Sequence, residues 1–245
     1  MNSTRSRALL VASIAVIAAA ALALAAIRRE PRTLPPRPPG QRPALMLLTS
    51  LPLIFSEDFS LGGGSPALEK LTDRYRVVPI SVTSAAELAK GRLLLMAQPL
   101  AQAPENLVAL DEWVRSGGRV MLLADPMLEW PSKRRLGDPL RPAPMFADTG
   151  LLAHWGLRLD APDARGPMLR QLAGRGIETV SPGALSGRCA ITADRLVAQC
   201  AVGQGKALVV ADADFLNLAN IDGPTENNLP AFLSELERLG GGEPR

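Results

Sequence analysis

The stretch "PENLVALDEWVRSGGRVMLLADP" (residues 104–126) decides the fold, because it joins an amphipathic segment to a continuous apolar run through two glycines. The first part predicts a helix over 104–118 that ends at Gly117 and Gly118. The apolar run after the glycines ends at Asp125 and is typical of a strand that is covered on both faces. A helix followed by such a strand indicates an α/β protein with parallel strands.

The same alternation extends in both directions from this stretch. We therefore expect one α/β domain over residues 44–240, built as a doubly wound, mostly parallel sheet of the flavodoxin or amidotransferase type. Residues 161–185 show no clear pattern and receive no assignment. Apolar periodicity predicts further strands at 44–53, 76–81, 92–99 and 206–212, and further helices at 65–75, 84–90, 146–156 and 225–241.

The segment "RCAITADRLVAQC" (188–200) alternates apolar and polar residues and predicts a β-hairpin inserted in the domain. With Asp194 and Arg195 at the turn, Cys189 and Cys200 lie opposite each other. A disulfide and two buried thiols are both compatible with this register. The chain has two cysteines and one histidine, and neither type is clustered at metal-ligand spacing, so we predict no metal site and no cofactor.

The amino terminus carries a membrane signal. Residues 8–27 contain no charge and no proline, and as a helix they would be about 30 Å long, the thickness of the bilayer core. They predict a transmembrane anchor or a signal sequence, and hence a single-pass protein of the cytoplasmic membrane whose soluble domain is extracytoplasmic, in the periplasm or its equivalent. The expected flanking regions are a short tail (1–7), a linker rich in proline and arginine (28–43) and a flexible carboxyl-terminal tail (241–245).

Acidic residues follow two of the predicted strands. Asp125 ends one strand, and Asp212 and Asp214 end the last. Ligands of open parallel sheets bind beyond the carboxyl ends of the strands, so these acids are candidate ligand-binding residues. Aspartates at strand ends also cap helices and close turns, and this structural role is the alternative. The other candidate ligand-binding residues are Thr49, Ser50, Gln98 and Asn217.

Charge and composition exclude one class of partner. The chain has a net charge of +3 without a basic stripe, and only 4% of its residues are aromatic. A nucleic-acid surface uses both features, so we predict no nucleic-acid partner.

Four segments, in their order along the chain, carry a family resemblance: "ALDEWVRSGGRVMLLADP", "LLAHWGLRLD", "SPGALSG" and "GQGKALVVADADF". Together they resemble the DUF4350 and gliding-motility-type ABC transporter auxiliary proteins, which have a class I glutamine amidotransferase-like fold. The resemblance implies a membrane-bound binding or assembly module that works beside an ABC transporter permease or another envelope protein.

The resemblance also implies where a catalytic cysteine and histidine would lie. Those positions read Ala124-Asp125-Pro126 and Asp212-Ala213-Asp214 in this chain, so neither a thiol nor an imidazole is present there. On this basis we expect no catalytic residues and a domain that is not an enzyme. The alternative is an envelope hydrolase that uses Asp125 with Asp212 or Asp214 on a sugar or a peptide of the cell envelope.

Overall fold

The computed structural model describes residues 34–54, 64–138 and 140–241. The predicted tail (1–7), the predicted span (8–27), the start of the linker and residues 242–245 lie outside these ranges. Among the described residues, no helix combines the length and the apolar character needed to cross a bilayer. The expectation of a single-pass membrane protein with an extracytoplasmic domain depends on residues 8–27, so the described residues give it no support.

Residues 34–241 belong to one compact unit, which contains eleven strands and five α-helices in the described ranges. The strands are β1 (Ala44–Thr49), β2 (Arg76–Pro79), β3 (Leu93–Ala97), β4 (Arg119–Leu123), β5 (Leu157–Asp160), β6 (Pro167–Leu172), β7 (Arg175–Val180), β8 (Ala184–Gly187), β9 (Ala190–Ile191), β10 (Val197–Val202) and β11 (Gly205–Val210). The helices are α1 (Pro66–Arg74), α2 (Ala85–Leu88), α3 (Pro104–Arg115), α4 (Leu151–His154) and α5 (Asn228–Gly240).

The central sheet has seven strands in the order β2-β1-β3-β4-β11-β10-β9. The first five are parallel, and β10 pairs antiparallel with both β11 and β9. The α/β class and the mostly parallel sheet are therefore confirmed. Because Leu123 of β4 pairs with Ala97 of β3 and with Val210 of β11, the carboxyl ends of these three strands lie level at one edge.

Helices cover both faces of this sheet. Strand residues alternate between two buried cores, as Leu45 and Met46 of β1 do, because successive side chains of a strand point to opposite faces. Helices α1 and α5 pack on one face, and α2, α3 and α4 pack on the other. In the first core Phe215 and Phe232 pack with ring centroids 6.1 Å apart.

The hairpin at 188–200 forms the antiparallel margin of the sheet, as strands β9 and β10. Cys189 and Cys200 are joined there by a disulfide with 4.8 Å between their Cα atoms. The unassigned region contains a second hairpin, β6 and β7, and β8 pairs with β5 as a separate two-stranded sheet.

Two predicted boundaries differ from the structure. The helix expected at 146–156 is reduced to α4, because Gly150 adopts a left-handed conformation (φ 101°) and the Asp148 carboxylate accepts hydrogen bonds from the N–H groups of Gly150 and Leu152 at the helix start. The last part of the predicted linker belongs to the domain, since Arg37 forms an ion pair with Glu237 and its guanidinium lies 5.5 Å from the centre of a tyrosine ring.

Candidate functional site

Three aspartates meet at the carboxyl edge of the sheet. Asp125 follows β4, and Asp212 and Asp214 follow its parallel neighbour β11. One carboxylate oxygen from each lies within 4.8 Å of the others. All three side chains are buried, with exposed fractions of 0%, 0% and 2%. The expected convergence of strand-end acids is therefore present, as a buried cluster that we call the aspartate cluster.

Backbone N–H groups hold Asp125 in position. Its Oδ1 accepts a hydrogen bond from Met127 at 2.8 Å, and its Oδ2 accepts one from Ala213 at 3.0 Å. The first bond closes the turn after β4, and the second joins that turn to the end of β11. This carboxylate therefore has the structural role that strand-end aspartates often have, in addition to its place in the cluster.

The other two aspartates accept fewer hydrogen bonds. Asp212 Oδ2 accepts a hydrogen bond from the Thr179 hydroxyl at 2.5 Å, and Asp212 Oδ1 accepts one from the backbone N–H of Asp214 at 3.3 Å. Asp214 Oδ2 accepts the backbone N–H of Glu129 at 2.8 Å. These bonds connect the cluster to β7 and to the long loop after β4.

Burial favours the protonated forms of the three aspartates. It raises the pKa of Asp212 well above its ordinary value, and the charges of Asp125 and Asp214 raise that pKa further. Burial, followed by the charge of Asp125, raises the pKa of Asp214 to about 7. Burial also raises the pKa of Asp125, although the N–H groups of Met127 and Ala213 oppose it. At neutral pH the cluster therefore contains carboxylic acids beside carboxylates.

Glu129 is the exposed carboxylate beside the cluster. Its Oε1 accepts the Ser181 hydroxyl at 2.5 Å, and its charge contributes to the raised pKa of Asp214. Sequence reasoning missed this residue. The available signal was its position in a long proline-rich loop after a strand, since such loops are often functional.

Two buried residues next to the cluster have left-handed backbones. Gln98 and Ser181 are fully buried with φ of 45° and 46°. The amide of Gln98 accepts a hydrogen bond from the Asp125 N–H at 2.9 Å and donates to the carbonyls of Asp125 and Ala143, each at 3.1 Å. A non-glycine residue in this conformation costs about 1–3 kcal/mol and is often found at functional sites.

Thr49 and Ser50 line a separate cavity of about 340 Å³ at the ends of β1, β2 and β3. The chain runs from β1 to β2 on one side and returns to β3 on the other, so this is a switch point of the sheet, where ligands of such folds bind. Ser50 Oγ donates to the carbonyl of Gln98 at 2.5 Å, which links the cavity to the aspartate cluster. We call this cavity the switch-point cleft; its other lining residues include Ile80, Ser81, Gln102, Arg134 and Leu140.

Asn217 lies in the turn after β11, beside Asp214. Its backbone N–H donates to the carbonyl of Asp214 at 2.8 Å, and its side-chain oxygen accepts a hydrogen bond from Asn220. Its side chain makes no hydrogen bond to the aspartate cluster within the described ranges. The structure thus groups the candidates into the cluster, the switch-point cleft with Gln98 as the link, and Asn217 in the turn after β11.

The aspartate cluster contains the oxygen ligands that a hard cation prefers. Its oxygens, however, already accept hydrogen bonds from four backbone N–H groups and one hydroxyl. A magnesium or calcium ion needs six or more oxygen ligands, and magnesium usually keeps several waters. Shared protons therefore fit this buried group better than a cation does.

No protein-family model and no curated protein matches the chain. Among solved structures, it is similar to an exo-β-1,4-mannosidase from Opitutaceae bacterium strain TAV5 (13% identity, 81% of this chain and 36% of that chain, TM-score 0.47). It is also similar to a β-galactosidase from Bacillus circulans sp. alkalophilus (13% identity, 83% and 32%, TM-score 0.47). A third structure is a cytoplasmic protein from Salmonella typhimurium (11% identity, 80% and 98%, TM-score 0.50).

The names of the first two structures do not agree with the expectation that the domain is not an enzyme. These two structures are named as a mannosidase and a β-galactosidase. The chain spans about a third of the length of the two glycosidases. At these identities the likeness concerns the fold, and the DUF4350 resemblance stays a prediction because no family model matches.

Proposed function

We propose that the domain is a hydrolase that cleaves a glycosidic bond, with Asp214 as the general acid and Glu129 as the second carboxylate. The observation that carries this proposal is the pKa of Asp214, which burial and the charge of Asp125 raise to about 7 beside an exposed glutamate. Glycosidases of both stereochemical classes need one carboxylic acid that stays protonated and one carboxylate that stays ionised.

The spacing of the acids excludes a catalytic pair within the aspartate cluster. Carboxyl groups on either side of a glycosidic bond are about 5–5.5 Å apart in retaining enzymes and about 6.5–9.5 Å apart in inverting ones. Oxygens of Asp125, Asp212 and Asp214 lie within 4.8 Å of one another, and all three side chains are buried. No two of them have space for a sugar between them, so the second carboxylate is the exposed Glu129.

The other two aspartates have supporting roles in this proposal. Two N–H groups donate to Asp125 and oppose the effect of burial on its pKa, and the charge of Asp125 helps to keep the proton on Asp214. Asp212 is bound by the Thr179 hydroxyl and acts as a proton store behind the reacting pair.

The switch-point cleft supplies a binding surface for the rest of the substrate. Its Thr49 and Ser50 lie at the end of β1, which is three strand spacings from β11 in the sheet order. Three spacings are about 14 Å. A substrate that reaches from the cleft to Asp214 is therefore an oligosaccharide or polysaccharide rather than a single sugar.

The test is hydrolysis of oligosaccharides of different linkage, measured by the release of reducing ends. We expect wild-type protein to cleave at least one linkage, and Asp214→Asn and Glu129→Gln each to reduce its kcat by at least a hundredfold, as loss of a catalytic acid or base does. The matched controls are Asp222→Asn and Glu112→Gln, which change exposed residues away from the cluster.

Unchanged turnover in both site variants, or loss of turnover in the controls as well, would contradict the assignment. Absence of turnover of any glycosidic linkage by a folded wild-type protein would overturn the proposed reaction. Circular dichroism of every variant separates a lost reaction from a lost fold.

A further inference from the structure

The opposite edge of the sheet contains a second and larger cavity, of about 640 Å³. It lies at the amino ends of β1, β3 and β4, where Ala44, Leu93 and Arg119 begin these strands. The aspartate cluster and the switch-point cleft are at the carboxyl ends of the same strands. This amino-edge cavity is therefore separate from the site proposed for hydrolysis, and its volume is in the range of small-molecule sites, about 300–1,000 Å³.

Guanidinium groups dominate the charge of the amino-edge cavity. Arg37, Arg92 and Arg119 line it together with one carboxylate, Glu237. Glu237 is already paired twice, with Arg37 at 2.5 Å and with Arg74 at 3.1 Å. Its negative charge is therefore compensated without Arg92 and Arg119.

Arg92 and Arg119 are neighbours with unused donors. The backbone N–H of Arg119 donates to the carbonyl of Arg92 at 3.0 Å, which brings the two residues side by side. Within the described ranges Arg92 makes no side-chain hydrogen bond or ion pair, and the Arg119 side chain donates only to the carbonyl of Leu239, at 3.0 Å. Two guanidinium groups that line one cavity without a carboxylate partner attract an anion.

Tyr75 forms part of the wall of the same cavity and is 2% exposed. Burial raises the pKa of Tyr75, and the charge of the Glu237 carboxylate beside it raises that pKa further. The acceptor next to the Tyr75 hydroxyl is therefore Glu237, and the donors left for a ligand are the guanidinium groups of Arg92 and Arg119.

We propose that the amino-edge cavity binds a small organic phosphate, whose phosphoryl group accepts hydrogen bonds from Arg92 and Arg119. The planar fork of a guanidinium matches two phosphoryl oxygens, and a phosphoryl dianion balances two unpaired arginines. A carboxylate has one charge and two oxygens, fewer than this set of donors can use. The volume beyond one phosphoryl group accommodates the organic part.

The experiment is isothermal titration calorimetry of the full chain with glucose 6-phosphate, inorganic phosphate and glucose. We expect glucose 6-phosphate to bind more tightly than inorganic phosphate, and glucose not to bind in this cavity. Arg92→Gln removes a guanidinium that has no partner in the described fold and should weaken phosphate binding at least tenfold.

The matched control is Arg165→Gln, which removes one positive charge from an exposed loop residue and should change the affinity less than twofold. Three outcomes would overturn the proposal: no binding of either phosphate to the wild type, equal affinity in Arg92→Gln and wild type, or equal affinity for sulfate. Binding of inorganic phosphate alone would overturn the organic part. Glycosidic turnover is measured on the same variants and should be unchanged, so the two proposals fail separately.

Discussion

Replacement of Asp214 by asparagine tests the electrostatics of the aspartate cluster. The pKa of Asp214 rises from an ordinary 3.8 to about 7 on folding, first because the side chain is buried and then because of the charge of Asp125. A carboxyl group with a raised pKa stabilises the folded state fully only below its unfolded pKa. That contribution is lost as the pH rises through the folded pKa.

The size of the effect follows from the shift. Three pKa units at about 1.4 kcal/mol per unit correspond to about 4 kcal/mol, lost between about pH 4 and about pH 7. The asparagine variant does not titrate at this position, and its amide oxygen can still accept the N–H of Glu129. As the pH rises through this range, the free energy of unfolding of the wild type should therefore fall by about 4 kcal/mol relative to that of the variant.

The assay is urea denaturation followed by tryptophan fluorescence at several pH values between about 4 and about 8. The control is Asp222→Asn, an exposed position, whose stability should follow the wild type at every pH. Parallel stability curves for Asp214→Asn and wild type across this range would refute the reasoning, because they would mean that Asp214 is ionised in the folded protein like an exposed aspartate.

Three further changes test other parts of the fold by urea denaturation. Ala173 adopts φ 54° before Gly174 in the β6–β7 turn. Asparagine tolerates this conformation better than alanine does, so Ala173→Asn should stabilise the protein by about 0.5–1 kcal/mol. A loss of stability would contradict this explanation of the turn. Replacing Cys189 and Cys200 together by serine should cost about 3 kcal/mol, because the disulfide closes a loop with a sequence separation of 11; an unchanged midpoint would be the contrary result. Thr179→Val removes the hydroxyl donor of Asp212 and should cost about 1–3 kcal/mol, with Thr179→Ser restoring most of it.

The pattern of apolar residues predicted the strands and helices whose burial follows directly from that pattern. The apolar run ending at Asp125 fits only a strand that is covered on both faces, and the structure places its residues in both cores. The β6–β7 hairpin was not predicted, because its half-buried strands depend on packing against α5 and against the turn that follows β11. The linker boundary was misplaced because a proline-rich composition does not show that Arg37 finds Glu237, two hundred residues away.

The candidate site was predictable to a smaller extent. Adjacent parallel strands bring Asp125 and Asp212 together, and the sequence was sufficient for that conclusion. We expected no enzyme because the chain lacks a thiol and an imidazole at the two positions that the family resemblance implies. Catalysis by carboxylates was the alternative. The raised pKa of Asp214 comes from burial and from the charge of Asp125, which only the tertiary structure determines. The left-handed backbone of Gln98 likewise has no sequence signature.

The disulfide at the margin of the sheet also affects how this chain behaves in concentrated solution. Strand β9 has only two residues, so two rungs of pairing alone would hold it weakly against β10. When the bond between Cys189 and Cys200 is reduced, β9 can detach and uncover a longer row of backbone donors and acceptors on β10. Uncovered strand edges recruit other chains, so an oxidised preparation should stay monodisperse under conditions in which a reduced one self-associates.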